Sequence, residues 1–211
     1  MILYDYYRSS AAYRVRIALE LKGLTVEHRP VHLLRAGGEQ SLPAYLAKNP
    51  QALVPALELD DGVLLTQSLT IIEYLESVHP SPPLIPHDPV LAAKSRAVAF
   101  AIACDIHPLT NLRVGNFLAD ELKVAPDSIE SWRRHWILEG LQAIEKLLEP
   151  SPFCFSAEPT LADVCLVPQL FSARRFAAPL DHLPRLLAVE SACLELAAFQ
   201  RAHPARQADA E

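Results

Sequence analysis

Met1-Ile2-Leu3-Tyr4-Asp5-Tyr6-Tyr7-Arg8-Ser9-Ser10-Ala11-Ala12-Tyr13-Arg14-Val15-Arg16-Ile17-Ala18-Leu19 opens the chain and decides how the rest is read. Ile2-Leu3-Tyr4 reads as a strand. Arg14 to Lys22 reads as a helix ended by Gly23 in the C-cap position. Two serines stand between them. A helix start leaves its first backbone N–H groups unpaired and carries partial positive charge. Serine caps such a start for backbone reasons alone. The same spot also stabilises an anion, or a thiol asked to become a thiolate. Which reading applies depends on the company these residues keep.

The following residues keep alternating in type. Val26 to Leu33 reads as a second strand, demoted towards a sheet edge by Pro30. Ser41 to Ala47 fits a short helix. Val54 to Leu59 is a third strand, Asp61-Gly62 a hairpin turn signal and Val63-Leu64-Leu65 the returning strand. Ser68 is expected to cap a helix through Ser77, with Leu69, Ile72 and Leu75 at helical spacing. The order β-α-β-α-β-β-α predicts a mixed sheet covered by helices.

Pro80 to Pro89 holds five of the chain's 18 prolines, a stiff connection that excludes helix. It divides a domain at 1–80 from an all-α domain at 90–211, with 81–89 as linker. Helices are expected over Val90–Asp105, Leu109–Leu122, Ser128–Leu148, Leu161–Phe176 and Pro184–Ala198. Thr160-Leu161-Ala162-Asp163 reads as a capping-box start with Asp in place of Glu.

The net charge of −6 and the lack of a long basic run argue against nucleic acid as a partner. No stretch approaches the roughly 18 to 20 apolar residues of a membrane span. The chain begins with a strand pattern and not a basic, apolar leader, so a cytoplasmic protein is expected. Cys104, Cys154, Cys165 and Cys193 show no C-x-x-C spacing and are expected to be buried, reduced thiols. The eight histidines lack ligand spacing, so no metal is expected. Arg14 and Arg16 read as helix-surface residues, with Arg16–Glu20 an i, i+4 ion pair. His28, His32, His79 and His203 read as solvated, and Tyr4 and Tyr6 as strand packing.

A small β-α-β-α-β-β-α domain followed by a helical domain resembles the plan of soluble glutathione transferases. Leu53-Val54-Pro55-Ala56 resembles that family's cis-proline loop, Gln67-Ser68 its γ-glutamyl-binding pair, and Thr160-x-x-Asp163 its folding motif. Ser9-Ser10-x-x-Tyr13-Arg14-Val15-Arg16-Ile17-Ala18-Leu19 is more discriminating and looks like the zeta class. Residues 36–40 (Ala-Gly-Gly-Glu-Gln), 46–51 (Leu-x-x-Asn-Pro-Gln), 71–76 (Ile-Ile-Glu-Tyr-Leu-Glu), 104–108 (Cys-Asp-Ile-His-Pro) and 166–169 (Leu-Val-Pro-Gln) extend the likeness over nearly the whole chain.

The resemblance implies an α/β thioredoxin-like N-terminal domain, an all-α C-terminal domain, glutathione as cofactor and a homodimer. It implies cis–trans isomerisation of a maleyl diacid, maleylpyruvate or maleylacetoacetate, to the fumaryl isomer by reversible addition of glutathione thiolate. Carried over by position, Ser9 activates the thiol, with Ser10, Arg8 and His107 beside it in catalysis. Ser9, Ser10, Ala11, Gln40, Val54, Gln67, Ser68, His107, Asn111 and Arg113 are the implied glutathione residues. Arg8, Arg113 and Arg175 are the implied substrate guanidiniums, suited to carboxylates by their fixed paired donors.

Two departures qualify the likeness. Ala11 stands where zeta enzymes usually carry Cys, which removes the nucleophile that thiol-transferase chemistry requires. His107 stands where animal maleylacetoacetate isomerases tend to have Gln, a pattern closer to bacterial maleylpyruvate isomerases. Two other readings stay open on the sequence. One is a transferase conjugating or dehalogenating small electrophiles such as α-halo acids. The other is a non-catalytic transferase-like binding module.

Overall fold

A computed structural model describes residues 1–211. The chain forms two compact units, Met1–Leu84 with Glu195–Glu211, and Ile85–Leu194. The sequence reading ran the helical domain to residue 211, whereas residues 195–211 cluster with the first unit.

In the first unit β1 (Ile2–Asp5), β2 (Glu27–Pro30), β3 (Ala56–Glu58) and β4 (Leu64–Thr66) form one sheet in the order β2-β1-β3-β4. β1 pairs parallel with β2 and antiparallel with β3, placing Leu3 opposite His28 and Leu57. β2 is an edge strand, where Pro30 ends the pairing without breaking a ladder. Strand periodicity splits the sheet into two faces. Ile2, Tyr4, Tyr6, Tyr45, Val54, Ala56 and Leu64 cluster on one face. Leu3 and Leu57 face the other way and are fully buried. The helices α1 (Ser10–Leu21) and α3 (Ser68–Val78) pack together, and their Ile17, Ile71, Ile72 and Leu75 are fully buried. A short α2 (Pro43–Leu46) lies between β2 and β3.

α1 has no solvent face at its centre, and the surface reading of its arginines is wrong. Ser10 through Leu19 are all buried, Arg14 and Arg16 included. Burial of a guanidinium needs an opposite charge and filled donors. Arg16 Nη1 reaches Asp5 Oδ2 at 3.0 Å. Its other N–H groups donate to the carbonyls of Tyr6 (3.4 Å), Tyr7 (2.8 Å) and Ala202 (3.1 Å). Ala202 ends α10 (Ala197–Ala202), which packs on α1. Glu20, the expected partner of Arg16, pairs with Arg201 at 2.6 Å.

The second unit is helical: α4 (Pro89–Phe100), α5 (His107–Thr110), α6 (Leu112–Asp120), α7 (Pro126–Leu147), α8 (Leu161–Arg175) and α9 (Pro184–Leu194). The expected break before Leu109 does not occur. Ala101–Ile106 form a π-helical segment that runs from α4 into α5, and the chain breaks at Asn111 instead. Gly140 of α7 permits its close approach, because a Cβ there would sit 2.3 Å from Ile106 Cγ1 and Cδ1. Asp163 caps α8 from full burial, accepting from the Thr160 N–H (2.7 Å), the Thr160 hydroxyl (2.9 Å) and the Cys154 N–H (2.8 Å).

Cys154, Cys165 and Cys193 are buried as expected, but Cys104 is exposed on the π-helical segment. Burial pushes the Cys154 and Cys193 thiols up, with the Asp163 charge adding to it. Of the histidines read as solvated, His32 is buried and His203 is half-buried. Burial holds the His203 pKa below the usual histidine value, with Arg16 and Arg206 adding to it.

Arg16→Met strands the buried Asp5 carboxylate and three carbonyl acceptors. A stability loss of about 3–5 kcal/mol is expected in urea unfolding, with part recovered in the double variant Asp5→Asn/Arg16→Met.

Candidate functional site

Ser9 is the N-cap of α1, with φ −67° and ψ 116°, and its Oγ accepts the Ala12 N–H at 3.2 Å. The cap consumes one acceptor lone pair and leaves the hydroxyl proton free to point outward. Ser10 and Ala11 are the first helical residues and carry N–H groups of the first turn. Arg8 stands immediately before them. Its Nε and Nη2 donate to Tyr6 Oη at 3.2 and 2.9 Å, and its guanidinium lies 5.2 Å from the Tyr7 ring centre. Burial pushes the Tyr6 phenol up, and Arg8 opposes it.

The α3 start is built differently. Ser68 was expected to cap it, yet Ser68 is its first helical residue and Gln67 takes the cap position without a capping bond. Gln67 is held at φ 68°, a left-handed conformation that costs a non-glycine residue energy and tends to collect at functional sites. Gln67 Nε2 donates to Gln51 Oε1 at 3.1 Å. Ser68 Oγ accepts from Arg14 Nη1 at 3.3 Å. An uncapped helix start of eleven residues therefore has a buried guanidinium directly behind its first hydroxyl. Both features favour a carboxylate in front.

Val54 precedes a cis peptide bond to Pro55 and lies outside the strand register, which begins at Ala56. The Leu53 carbonyl beside it accepts from Tyr45 Oη (2.6 Å) and Asn49 Nδ2 (2.8 Å), which ties this loop to α2. Gln40 ends up with its Oε1 buried and without a hydrogen-bond partner. Its amide fills the space where a Cβ of Gly38 would be, 2.4 Å from Nε2. Orphaned buried acceptors are rare and ask for a ligand or water. Hydroxyls and N–H groups at one helix start, a cationic start at another and an orphaned amide together fit an anionic peptide such as glutathione.

In the second unit Asn111 is the N-cap of α6, and its Oδ1 accepts the Arg113 N–H at 3.1 Å. Its Nδ2 is then the donor towards His107 Nε2, 3.3 Å away. The amide therefore makes Nε2 an acceptor and places the proton of the neutral ring on Nδ1. His107 directly follows the π-helical segment, a type of distortion frequent at functional sites. Arg113 lies exposed in the first turn of α6.

At the end of α8 the two arginines separate. Arg174 makes a two-pronged pair with the buried Glu190, both contacts at 2.5 Å. Arg175 stacks on the Phe176 ring at 4.7 Å. Arg174 is thereby committed to a structural carboxylate.

The burial of Arg14 behind Ser68 was missed by sequence reasoning. One signal pointed to its burial: Tyr13, Val15, Ile17, Ala18 and Leu19 surround the α1 axis, leaving no polar side.

Residues 3–83 match the family model for the glutathione S-transferase N-terminal domain, and residues 126–191 that for the C-terminal domain. A maleylacetoacetate isomerase of Pseudomonas aeruginosa is 50% identical, with 99% of this chain and 98% of that protein covered. A solved holo structure of maleyl pyruvate isomerase, a bacterial glutathione S-transferase of the zeta class, is 43% identical with a TM-score of 0.96, covering 100% of both chains. A maleylacetoacetate isomerase of Methylobacterium extorquens AM1, solved with bound malonate and glutathione, is 37% identical with a TM-score of 0.96, again covering 100% of both chains.

In the neutral His107 ring the proton is expected on Nδ1, as read from its nitrogen chemical shifts. Asn111→Ala removes the donor to Nε2, and the shifts should move towards a mixture of tautomers.

Proposed function

The chain belongs to the glutathione S-transferase family, in its zeta class, and from that premise we propose that it is a glutathione-dependent cis–trans isomerase of maleyl diacids. The observation that carries this reading is full-length likeness, at 50% identity, to a maleylacetoacetate isomerase. Glutathione supplies the sulfur that adds reversibly to the double bond and so allows rotation about it. Everything else falls to the protein.

Ser9 donates its hydroxyl hydrogen to the thiolate, and the α1 start behind it adds its field. Ser10 and Ala11 contribute first-turn N–H groups. Fixed donors aimed at a developing negative charge are commonly the largest contribution to catalysis. Gln67 and Ser68, backed by Arg14, take the γ-glutamyl carboxylate. Val54 offers its backbone to the cysteinyl part, and the orphaned Gln40 amide takes a further polar group. His107, Asn111 and Arg113 complete the glutathione contacts. Arg8, Arg113 and Arg175 take the substrate carboxylates, where the planar guanidinium pairs with both oxygens at once. Ala11 leaves the site without a thiol of its own, so glutathione is the sole sulfur required.

No helix is long and apolar enough to cross a membrane. A cytoplasmic homodimer serving aromatic catabolism completes the reading.

The deciding experiment follows maleylpyruvate and maleylacetoacetate by absorbance, each with and without glutathione. Fast, glutathione-dependent isomerisation of one, with glutathione regenerated, is expected. Measurable glutathione binding without turnover of either would sink the reading, and chloride release from an α-halo acid would then identify a dehalogenating transferase.

Ser9→Ala is expected to lower kcat by about 100-fold to 1,000-fold, the range for removing one donor to a developing anion. Arg175→Ala is expected to raise KM for the diacid by about tenfold or more, as loss of a charged hydrogen-bond partner implies, whereas Arg174→Ala should act on stability.

A further inference from the structure

The turn that presents Ser9 is closed by the far end of the chain. Ser9 N–H donates to the Tyr6 carbonyl at 2.9 Å, making a tight turn over Tyr6–Ser9. That same carbonyl receives Arg16 Nη1 at 3.4 Å. The other end of the same peptide unit is the Tyr7 N–H, on a residue only 6% exposed. It donates to Asp209 Oδ2 at 3.0 Å, from a residue 202 positions away. A peptide unit is planar and rigid, so gripping its C=O and its N–H from opposite sides stops it rotating.

The tail that delivers Asp209 is itself pinned on both sides. Before it, Gln207 Nε2 donates to the Arg201 and His203 carbonyls, each at 3.0 Å. After it, Glu211 pairs with Arg35 at 2.5 Å and lies 3.5 Å from His32 Nε2. His32 is fixed in turn, its Nδ1 accepting the N–H groups of Leu34 (3.2 Å) and Arg35 (2.8 Å). Asp209 also faces the field of the buried Arg16 guanidinium. A hydrogen bond from a backbone N–H to a carboxylate is charge-assisted and among the stronger kinds.

We propose that Asp209 is a positioning residue for catalysis: through the Tyr7 N–H it locks the Tyr6–Tyr7 peptide and so sets where the Ser9 hydroxyl stands. The inference rests on the reading of Ser9 as the thiol-activating group. It gives the C-terminal tail a task that no chemistry of its own would require. It also explains why these last residues belong to the first unit.

Asp209→Ala, Asp209→Asn and Ser9→Ala are to be compared by three readouts. The first is hydrogen exchange of the Tyr7 amide in the free protein. The second is the pH titration of the thiolate absorbance of bound glutathione. The third is isomerase kcat and KM. Asp209→Ala is expected to speed Tyr7 exchange by about tenfold or more while the core amides stay protected. It should raise the bound thiol's pKa by about half a unit, in the direction of Ser9→Ala, and lower kcat by about fivefold with a smaller change in KM. Asp209→Asn keeps an acceptor oxygen and should restore most of both. A chain ending at Ala208 should repeat the alanine result, and core protection reports directly that either variant is folded.

A thiol pKa unmoved by Asp209→Ala, beside a clear shift in Ser9→Ala, overturns the role of Asp209 and leaves that of Ser9 standing. Asp209→Asn as damaging as Asp209→Ala overturns the hydrogen-bond role in favour of bare charge. A thiol pKa unmoved in Ser9→Ala as well brings down the Ser9 reading and this one with it.

Discussion

A buried guanidinium organises the first unit. Arg16 sits at the middle of α1 and joins the end of β1 through Asp5, the turn after β1 through the Tyr6 and Tyr7 carbonyls, and α10 through Ala202. Taking a charge out of water is expensive, and the expense is offset only when every donor is met. That condition ties three segments to one side chain with little room for alternatives. Because the turn it holds is the one that places Ser9, the stability of the sheet and the geometry of the candidate site depend on the same interaction.

The two helix starts of the first unit show how one physical device serves two ends. At α1 the cap is made, and Ser9 accepts the Ala12 N–H with its hydroxyl oxygen. At α3 the cap is withheld. Gln67 is forced into a left-handed backbone and Ser68 is backed by Arg14. A filled cap stabilises the fold, whereas an open one stores an unmet demand for an anion. The second unit repeats this logic with side chains. Asn111 caps α6 with its oxygen and sets the His107 tautomer with its nitrogen, and Glu190 holds Arg174 in a two-pronged pair.

Much was legible in the sequence. Strand alternation, Gly23, Asp61-Gly62 and the proline-rich stretch mark elements through local backbone preferences, which neighbouring residues settle among themselves. Pro30 signalled the sheet edge for the same local reason. The errors fall where the competing partner is remote. Ser68 looks like a cap by residue type, but its hydroxyl is claimed by an arginine 54 positions earlier. Arg16–Glu20 has the spacing of a surface pair, but the helix is buried around that position. Pro108 looks like a helix boundary, and a π-helical segment before it carried the chain through.

The sequence by itself determined the element order, the split into a mixed α/β part and a helical part, the serines at a helix start and the family likeness that names a function. These depend on short-range preference or on the residue string as a whole. Only the tertiary structure decided which arginines are buried and which carboxylates they meet, which serine caps its helix and which accepts from Arg14, and that the chain's last residues return to grip the turn before Ser9. Those outcomes depend on pairing polar groups that burial has cut off from water. The partners are chosen by packing across tens to hundreds of residues, a relation that no local pattern encodes.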